Sequence, residues 1–363
     1  MKKGLYIHIP FCSQICSYCD FAKLYYQEDL ANKYIDEVIK EIEEKNCREI
    51  SSIYIGGGTP TSLNAKQLKK LLSYLDNHFY HENMSFTIEA NAENLDEEKI
   101  QLLVKYHVNR ISIGVQTFND DLIKVLNRKH NFEMIKEKIN LLNKYHLKDI
   151  NCDLIYGLPG QSIEMLDEDL TLMLSLNITH ISTYALSINK NTLLYLENIK
   201  EVEDDTYRKY YDFINYKLKE SGYIRYEVSN FAKQGFESDH NLIYWKNKEY
   251  YGIGLGASGY VNNVRYDNTK SLNNYLSGKR EVQVEPLTIL DEEFYYLMLG
   301  LRLTEGIDMN EYKSLYSKDL LVHYQDKIQV LLDKKLIEIK DNFLKISEEN
   351  LYIMDYILKK LLY

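Results

Sequence analysis

Three of the five cysteines fall within eight residues, as Cys12-x3-Cys16-x2-Cys19. Soft thiolates at such short spacing select zinc or iron–sulfur clusters. A structural zinc site needs a fourth ligand, usually from a second Cys or His pair a dozen or more residues away. None is evident, since Cys47 is alone and Cys152 sits in an apolar stretch. Three thiolates can instead hold three irons of a cubane [4Fe–4S] cluster and leave the fourth iron open to a small ligand. The spacing alone leaves an iron–sulfur site, a zinc knuckle and a chance cluster open. A disulfide framework is disfavoured, because the cysteine count is odd and no secretion signal precedes it.

Other polar residues stand at the ends of apolar runs. Ile53-Tyr54-Ile55 leads into Gly56-Gly57-Gly58-Thr59-Pro60, and such glycines let backbone N–H groups approach a ligand. Glu89 closes Thr87-Ile88-Glu89, Gln116 closes Ile113-Gly114-Val115-Gln116, and Asp153 lies in Cys152-Asp153-Leu154. A carboxylate there can accept hydrogen bonds from hydroxyl or amino groups. Arg128, in Asn127-Arg128-Lys129, suits a carboxylate because its fork is planar and always charged. Cys152 points away from Asp153 across the strand and is expected to be a buried apolar residue.

These residues need a scaffold that gathers strand ends. From residue 4 to about 235, short strands alternate with amphipathic helices, which predicts a parallel α/β fold. The expected strands are Leu5–Ile9, Ser52–Ile55, Phe86–Ala90, Arg110–Val115, Ile150–Ile155 and His180–Leu186. Leu30, Tyr34, Val38 and Ile42 form one helical stripe, and Tyr207, Tyr211, Ile214 and Leu218 another. Asn64 and Gln67 predict a capping box. Six βα units are too few for a closed eight-fold barrel, so an open partial TIM-like (βα)6 barrel is expected, with chemistry at the C-terminal strand ends. The rhythm changes after residue 235, which marks residues 236–363 as a second, α+β region. It has a glycine-rich junction at 252–259 and, from about 286, helices followed by strands at Leu336–Lys340 and Phe343–Ile346, as in a winged helix.

The chain has 363 residues and a net charge of -10. Residues 286–363 carry 10 Lys+Arg against 14 Asp+Glu, so neither chain nor wing suits nucleic acid, whose phosphates need a positive surface. That balance and the missing fourth ligand count against a zinc-stabilised DNA-binding regulator. No apolar run approaches the ~20 residues of a membrane helix. His8 and Pro10 interrupt the signal-like start Met1-Lys2-Lys3-Gly4-Leu5. The expected location is the cytoplasm, with contact at a membrane surface and a homodimer left open.

Cys12-x3-Cys16-x2-Cys19, with Tyr18 before the last cysteine, resembles the radical S-adenosylmethionine (SAM) superfamily. The flanks Tyr6-Ile7-His8-Ile9-Pro10-Phe11 and Asp20-Phe21 resemble the group holding the oxygen-independent coproporphyrinogen III oxidases and the HemW-type heme chaperones. The resemblance implies a radical-SAM barrel with a [4Fe–4S] cluster on Cys12, Cys16 and Cys19. It further implies SAM bound by Tyr6, Tyr18, Gly57, Gly58, Thr59, Glu89, Gln116, Arg128 and Asp153. The oxidases carry a further Cys two residues after the third and a longer N-terminal extension. Phe21 stands at that position here, and 11 residues precede Cys12. The segment His240-Asn241-Leu242-Ile243-Tyr244-Trp245 matches the chaperones' His-Asn-x-x-Tyr-Trp signature, and Trp245 is the only Trp. A neutral His offers a nitrogen to heme iron, and Tyr244 and Trp245 offer flat apolar faces. The alternative role of His240 and Trp245 is to pack a domain junction. Where the family usually has Gly-Ala-His, this chain has Gly256-Ala257-Ser258. The implied function is a heme chaperone that passes heme to acceptor hemoproteins, with those of the respiratory chain as the expected class. The alternative is a SAM-cleaving oxidative decarboxylase of porphyrin propionates.

Overall fold

The structure, a computed structural model, describes residues 3–362, so Met1 and Lys2 of the charged start lie outside it. Six strand–helix units follow one another. They are β1 (Lys3–Ile9) with α1 (Glu28–Glu44), β2 (Ile50–Gly57) with α2 (Ala65–Phe79), and β3 (Ser85–Ala90) with α3 (Glu97–Lys105). Then come β4 (Arg110–Gln116) with α4 (Phe132–Lys144), β5 (Asp149–Tyr156) with α5 (Ile163–Leu174), and β6 (His180–Ala185) with α6 (Asp204–Glu220). Neighbouring strands pair in parallel from β1 to β6.

Period-two alternation decides what each face meets. Leu5, Ile7, Ile53, Ile55, Phe86, Ile88, Ile111, Ile113, Ile150, Cys152 and Leu154 are fully buried under the apolar stripes of the helices. Cys152 is thus an ordinary core residue. The alternate positions, among them Tyr54, Glu89, Ser112, Asp153 and Ser182, turn to the other face and line a lumen. The Asn64–Gln67 capping box forms at the start of α2.

The sheet does not stop at residue 235. Two short strands, β7 (Ile224–Arg225) and β8 (Asn230–Ala232), add antiparallel to β6. After the helix α7 (Asp239–Trp245), β9 (Tyr250–Ile253) pairs in parallel with the free side of β1. The strands β10 (Ser258–Val261), β11 (Val264–Asn268) and β12 (Glu281–Pro286) extend it antiparallel. The order is β12-β11-β10-β9-β1-β2-β3-β4-β5-β6-β8-β7, an open partial barrel. The glycine-rich segment hid β9 from the sequence, because strand interiors rarely hold so much glycine. Gly252 has a packing reason: a Cβ there would lie 1.9 Å from the Ser258 carbonyl oxygen.

Residues beyond β12 build a separate apolar core around Leu297, Leu301, Tyr312, Ile328, Leu344 and Ile357. The helices α8 (Ile289–Gly300), α9 (Met309–Tyr316), α10 (Gln325–Asp333) and α11 (Met354–Leu362) surround a small sheet. In it Phe343–Ile346 lies between Ile307–Asp308 and Ile337–Lys340. Helix, strand, helices, a β-hairpin and a last helix give a winged-helix-like order. Between α9 and the hairpin stand two helices, Leu320–His323 and α10, because the chain breaks at Tyr324.

Because the obstacle to a side chain at position 252 is backbone, Gly252→Ala should destabilise the fold by about 2–3 kcal/mol, measured as a lowered urea midpoint with an unchanged slope.

Candidate functional site

The cysteine loop is closed at its base. Phe11–Cys12 pairs with Leu24–Tyr25, and Tyr26 N–H donates to the Cys12 carbonyl at 2.9 Å. The end of β2 presses against the entry to this loop. Gly58 N–H donates to the Ile9 carbonyl and Thr59 N–H to the Phe11 carbonyl, both at 2.8 Å. A Cβ on Gly58 would meet the Pro10 backbone at 2.8 Å; on Gly57, whose φ is +112°, it would meet the His8 ring at 2.5 Å. The glycines therefore serve first to let two backbones touch. Their N–H groups are partly spent on this contact, and Gly57 N–H donates to Glu89 Oε2 at 2.9 Å.

Cys12, Cys16 and Cys19 are free thiols on the wall of one cavity of 470 Å³. Thr59 Oγ1 donates to Cys12 Sγ at 3.8 Å, and Arg128 Nη1 to Cys16 Sγ at 3.4 Å. Burial pushes the Cys12 thiol up to about 11 and raises Cys19 as well. Iron must therefore displace protons to bind here. Among the described residues no three Cys, His, Asp or Glu side chains converge on a single ion. Three thiols on one concave wall fit a cluster that takes three cysteine ligands.

The expected SAM residues gather around the same space. Tyr18, Gly57, Gly58, Thr59, Glu89, Gln116, Arg128 and Asp153 all line it. Glu89 accepts from the Tyr54 hydroxyl at 2.7 Å, and burial lifts its carboxyl to about 7. Burial also raises Asp153, opposed by hydrogen bonds from Asn151 and Ser182. Arg128 Nη2 is anchored on Asn91 Oδ1 at 3.0 Å and the Gly114 carbonyl at 2.5 Å. Gln116 sits at a register shift in β4 with φ +72°, a costly left-handed geometry for a side chain. Its Oε1 is buried without a hydrogen-bond partner, an acceptor held ready for a ligand. Tyr6 is the exception: it does not line the cavity. Its hydroxyl bonds His8 Nδ1 at 3.0 Å, and His8 Nε2 bonds the Ala22 carbonyl at 2.8 Å, so it supports the cysteine loop.

Tyr54, Asn91, Arg110, Ser112, Asn151, Ser182, Tyr184 and Asn241 also line the cavity and were not expected there. Tyr54, Ser112, Ser182 and Tyr184 were within reach of the sequence, because each alternates with apolar residues on a recognised strand.

The signature helix α7 plugs the floor. His240 is 1% exposed. Its Nδ1 meets Ser52 Oγ at 2.9 Å and its Nε2 the Tyr244 hydroxyl at 2.8 Å. Burial, aided by the Arg110 charge, lowers its pKa to about 3. The ring is neutral, as iron ligation requires, but both nitrogens are engaged; an axial role costs it both bonds. Tyr244 packs edge-on against Tyr250 with centroids 4.5 Å apart. Trp245 lies under the Arg302 guanidinium at 4.9 Å, at the seam with the C-terminal module. Ser258 is exposed and bonds the Asp267 carboxylate.

Comparisons with known proteins fit this geometry. The radical SAM superfamily model matches residues 6–173, and the HemN C-terminal domain model matches residues 292–353. The heme chaperone HemW of Lactococcus lactis is 37% identical over 92% of this chain and 90% of its own. That of Bacillus subtilis is 34% identical over 92% of both. The chain belongs to the HemW heme chaperone family. The solved coproporphyrinogen III oxidase (HemN) of Escherichia coli, a radical SAM enzyme, superposes with a TM-score of 0.87 at 21% identity, covering 99% of this chain and 90% of its own. That likeness establishes the shared fold. In this HemW-family chain Phe21, two residues past the third cysteine, is 64% exposed at the cavity wall.

Two outcomes are expected. Cys12→Ala, Cys16→Ala or Cys19→Ala should each abolish the cluster absorption and bound iron after anaerobic reconstitution, whereas Cys47→Ala and Cys152→Ala should leave both. SAM affinity should rise between pH 6 and 8, because only ionised Glu89 offers full acceptor capacity and its folded-state pKa is about 7. Equilibrium dialysis across that range should show the slope vanish in Glu89→Gln.

Proposed function

We infer that this chain binds heme and hands it to acceptor hemoproteins, respiratory ones among them, with Cys12, Cys16 and Cys19 holding a [4Fe–4S] cluster whose open iron would take SAM. The observation that carries this reading is kinship with HemW along nearly the whole chain, at 37% identity. The geometry supports the cofactors: three free thiols share a wall with Glu89, Gln116, Arg128 and Asp153. A reduced cluster of this kind supplies an electron to SAM. The residues of the chain do the positioning. Arg128, fixed on Asn91 and Gly114, is set for a carboxylate. Glu89 and Asp153 accept hydrogen bonds from hydroxyl or amino groups, and Gln116 adds one more acceptor.

The test is anaerobic reconstitution followed by heme titration beside a decarboxylation assay with coproporphyrinogen, SAM and reductant. Stoichiometric heme binding without protoporphyrinogen formation is expected. Multiple-turnover protoporphyrinogen formation would instead establish the decarboxylase. In the same titration His240→Ala, with cluster content as the folding control, should lower heme affinity if the ring leaves Ser52 and Tyr244 to take the iron.

A further inference from the structure

The cavity wall carries six charged side chains: Asp20, Glu89, Asp153, Lys23, Arg110 and Arg128. Five of them have short hydrogen bonds. Asp20 accepts from Asn189 at 2.7 Å, Glu89 from Tyr54 at 2.7 Å, and Asp153 from Asn151 at 2.7 Å. Lys23 donates to the Cys19 carbonyl, and Arg128 to Asn91 and Gly114. Arg110 differs. It is 3% exposed, its Nε has no hydrogen-bond partner, and its ion pair with Asp149 is long, at 3.6 Å. A buried guanidinium so poorly matched is expensive, and its fork geometry suits a carboxylate.

Arg110 opens β4, at the opposite end of the strand from Gln116, so it lies on the floor side of the lumen. It already shares its field with the carboxylates of Asp149, Glu89 and Asp153, while Ser112, Ser182 and Asn151 on the same wall are neutral and polar. Ser112 and Ser182 are both bridged by Asn151, at 2.7 and 3.1 Å. Asn241 reaches the same wall from the signature helix α7. Two aromatic rings, Phe21 at 64% exposure and Tyr184 at 45%, line the same cavity. One cavity thus joins flat apolar surface to a buried cation, the pattern of a ligand with an apolar ring system and a carboxylate arm.

We propose that Arg110, with Asn241 on the same cavity wall, forms a carboxylate subsite in the lumen that takes a propionate of the porphyrin cargo. This rests on the heme-chaperone reading above and adds where the cargo is gripped. It also separates two guanidiniums on one wall: Arg128, beside the cysteines, for SAM, and Arg110, near the floor, for the cargo.

The experiment compares heme with its dimethyl ester, which keeps the ring and iron but lacks both charges. Cluster-loaded wild type, Arg110→Gln and Asn241→Asp are titrated with each, and SAM binding is followed in parallel. Asn241→Asp is isosteric and sets a like charge against a propionate, so it tests the subsite even where Arg110→Gln folds poorly. Both variants should weaken heme at least about tenfold, change the diester less than twofold and weaken SAM far less than heme, since Arg110 reaches SAM only through the charge that favours ionised Glu89. Equal losses for heme and diester, or no loss for either, would overturn the subsite. A fall in SAM affinity with heme unchanged would reassign Arg110 to the carboxylate of SAM. Wild type that binds neither porphyrin would overturn the chaperone reading itself.

Discussion

The whole site hangs on one backbone contact, the end of β2 against the exit of β1. Gly58 N–H to the Ile9 carbonyl and Thr59 N–H to the Phe11 carbonyl weld the two strand ends at 2.8 Å. No side chain fits between them, so the glycines follow from the distance rather than from ligand contact alone. That contact fixes where Cys12 emerges, puts Thr59 Oγ1 against its sulfur, and aims Gly57 N–H at Glu89. Cluster loop and ligand acceptors are therefore set by the same few atoms, and a shift in one displaces the other.

A lumen this polar needs internal partners, because unpaired buried polar groups cost more than a hydrogen bond returns. The chain answers with a cross-strand network. Asn151 bonds Ser112, Asp153 and Ser182, and its Oδ1 meets His180 Nδ1 at 2.6 Å. His180 Nε2 continues to the Tyr226 hydroxyl at 3.0 Å. Helix α7 closes the floor through His240 and Ser52. On the cavity wall the network leaves Gln14 Oε1, Gln116 Oε1 and Arg110 Nε unmatched, two acceptors and a donor open to a ligand.

Much of this was legible in the residues, because the outward halves of the strands are continuous apolar stripes and the cysteine spacing is chemically narrow. All six parallel strands fall where alternation puts them, to within two residues at either end. The strand β9 escaped, since Gly252 and Gly254 are demanded by backbone approach and erase the strand signal. Tyr6 sits on the right strand, yet its hydroxyl turns to His8 rather than to the cavity. Which of two inward positions reaches a ligand depends on rotamers and neighbours that spacing does not encode. Arg110 was hidden for a related reason: it begins its strand, and only a long side chain lets it join a wall built mostly from strand ends.

The oxidase fold and this chain's fold coincide over almost their full length, so the barrel cannot distinguish decarboxylation from carriage. The distinction has to lie in side chains at the cavity. At the position two residues past the third cysteine, a thiol would add a reactive donor beside the cluster, whereas Phe21 adds an exposed, inert ring. Radical chemistry needs the abstracted hydrogen held against the cofactor, which demands a tightly enclosed substrate. Carriage needs the reverse, a ligand gripped by a few strong contacts yet exposed enough for a second protein to take it. On the proposed reading, a 470 Å³ cavity with exposed Phe21 on its wall suits the second: one part of the ligand would be held inside while its broad face stays within reach of an acceptor.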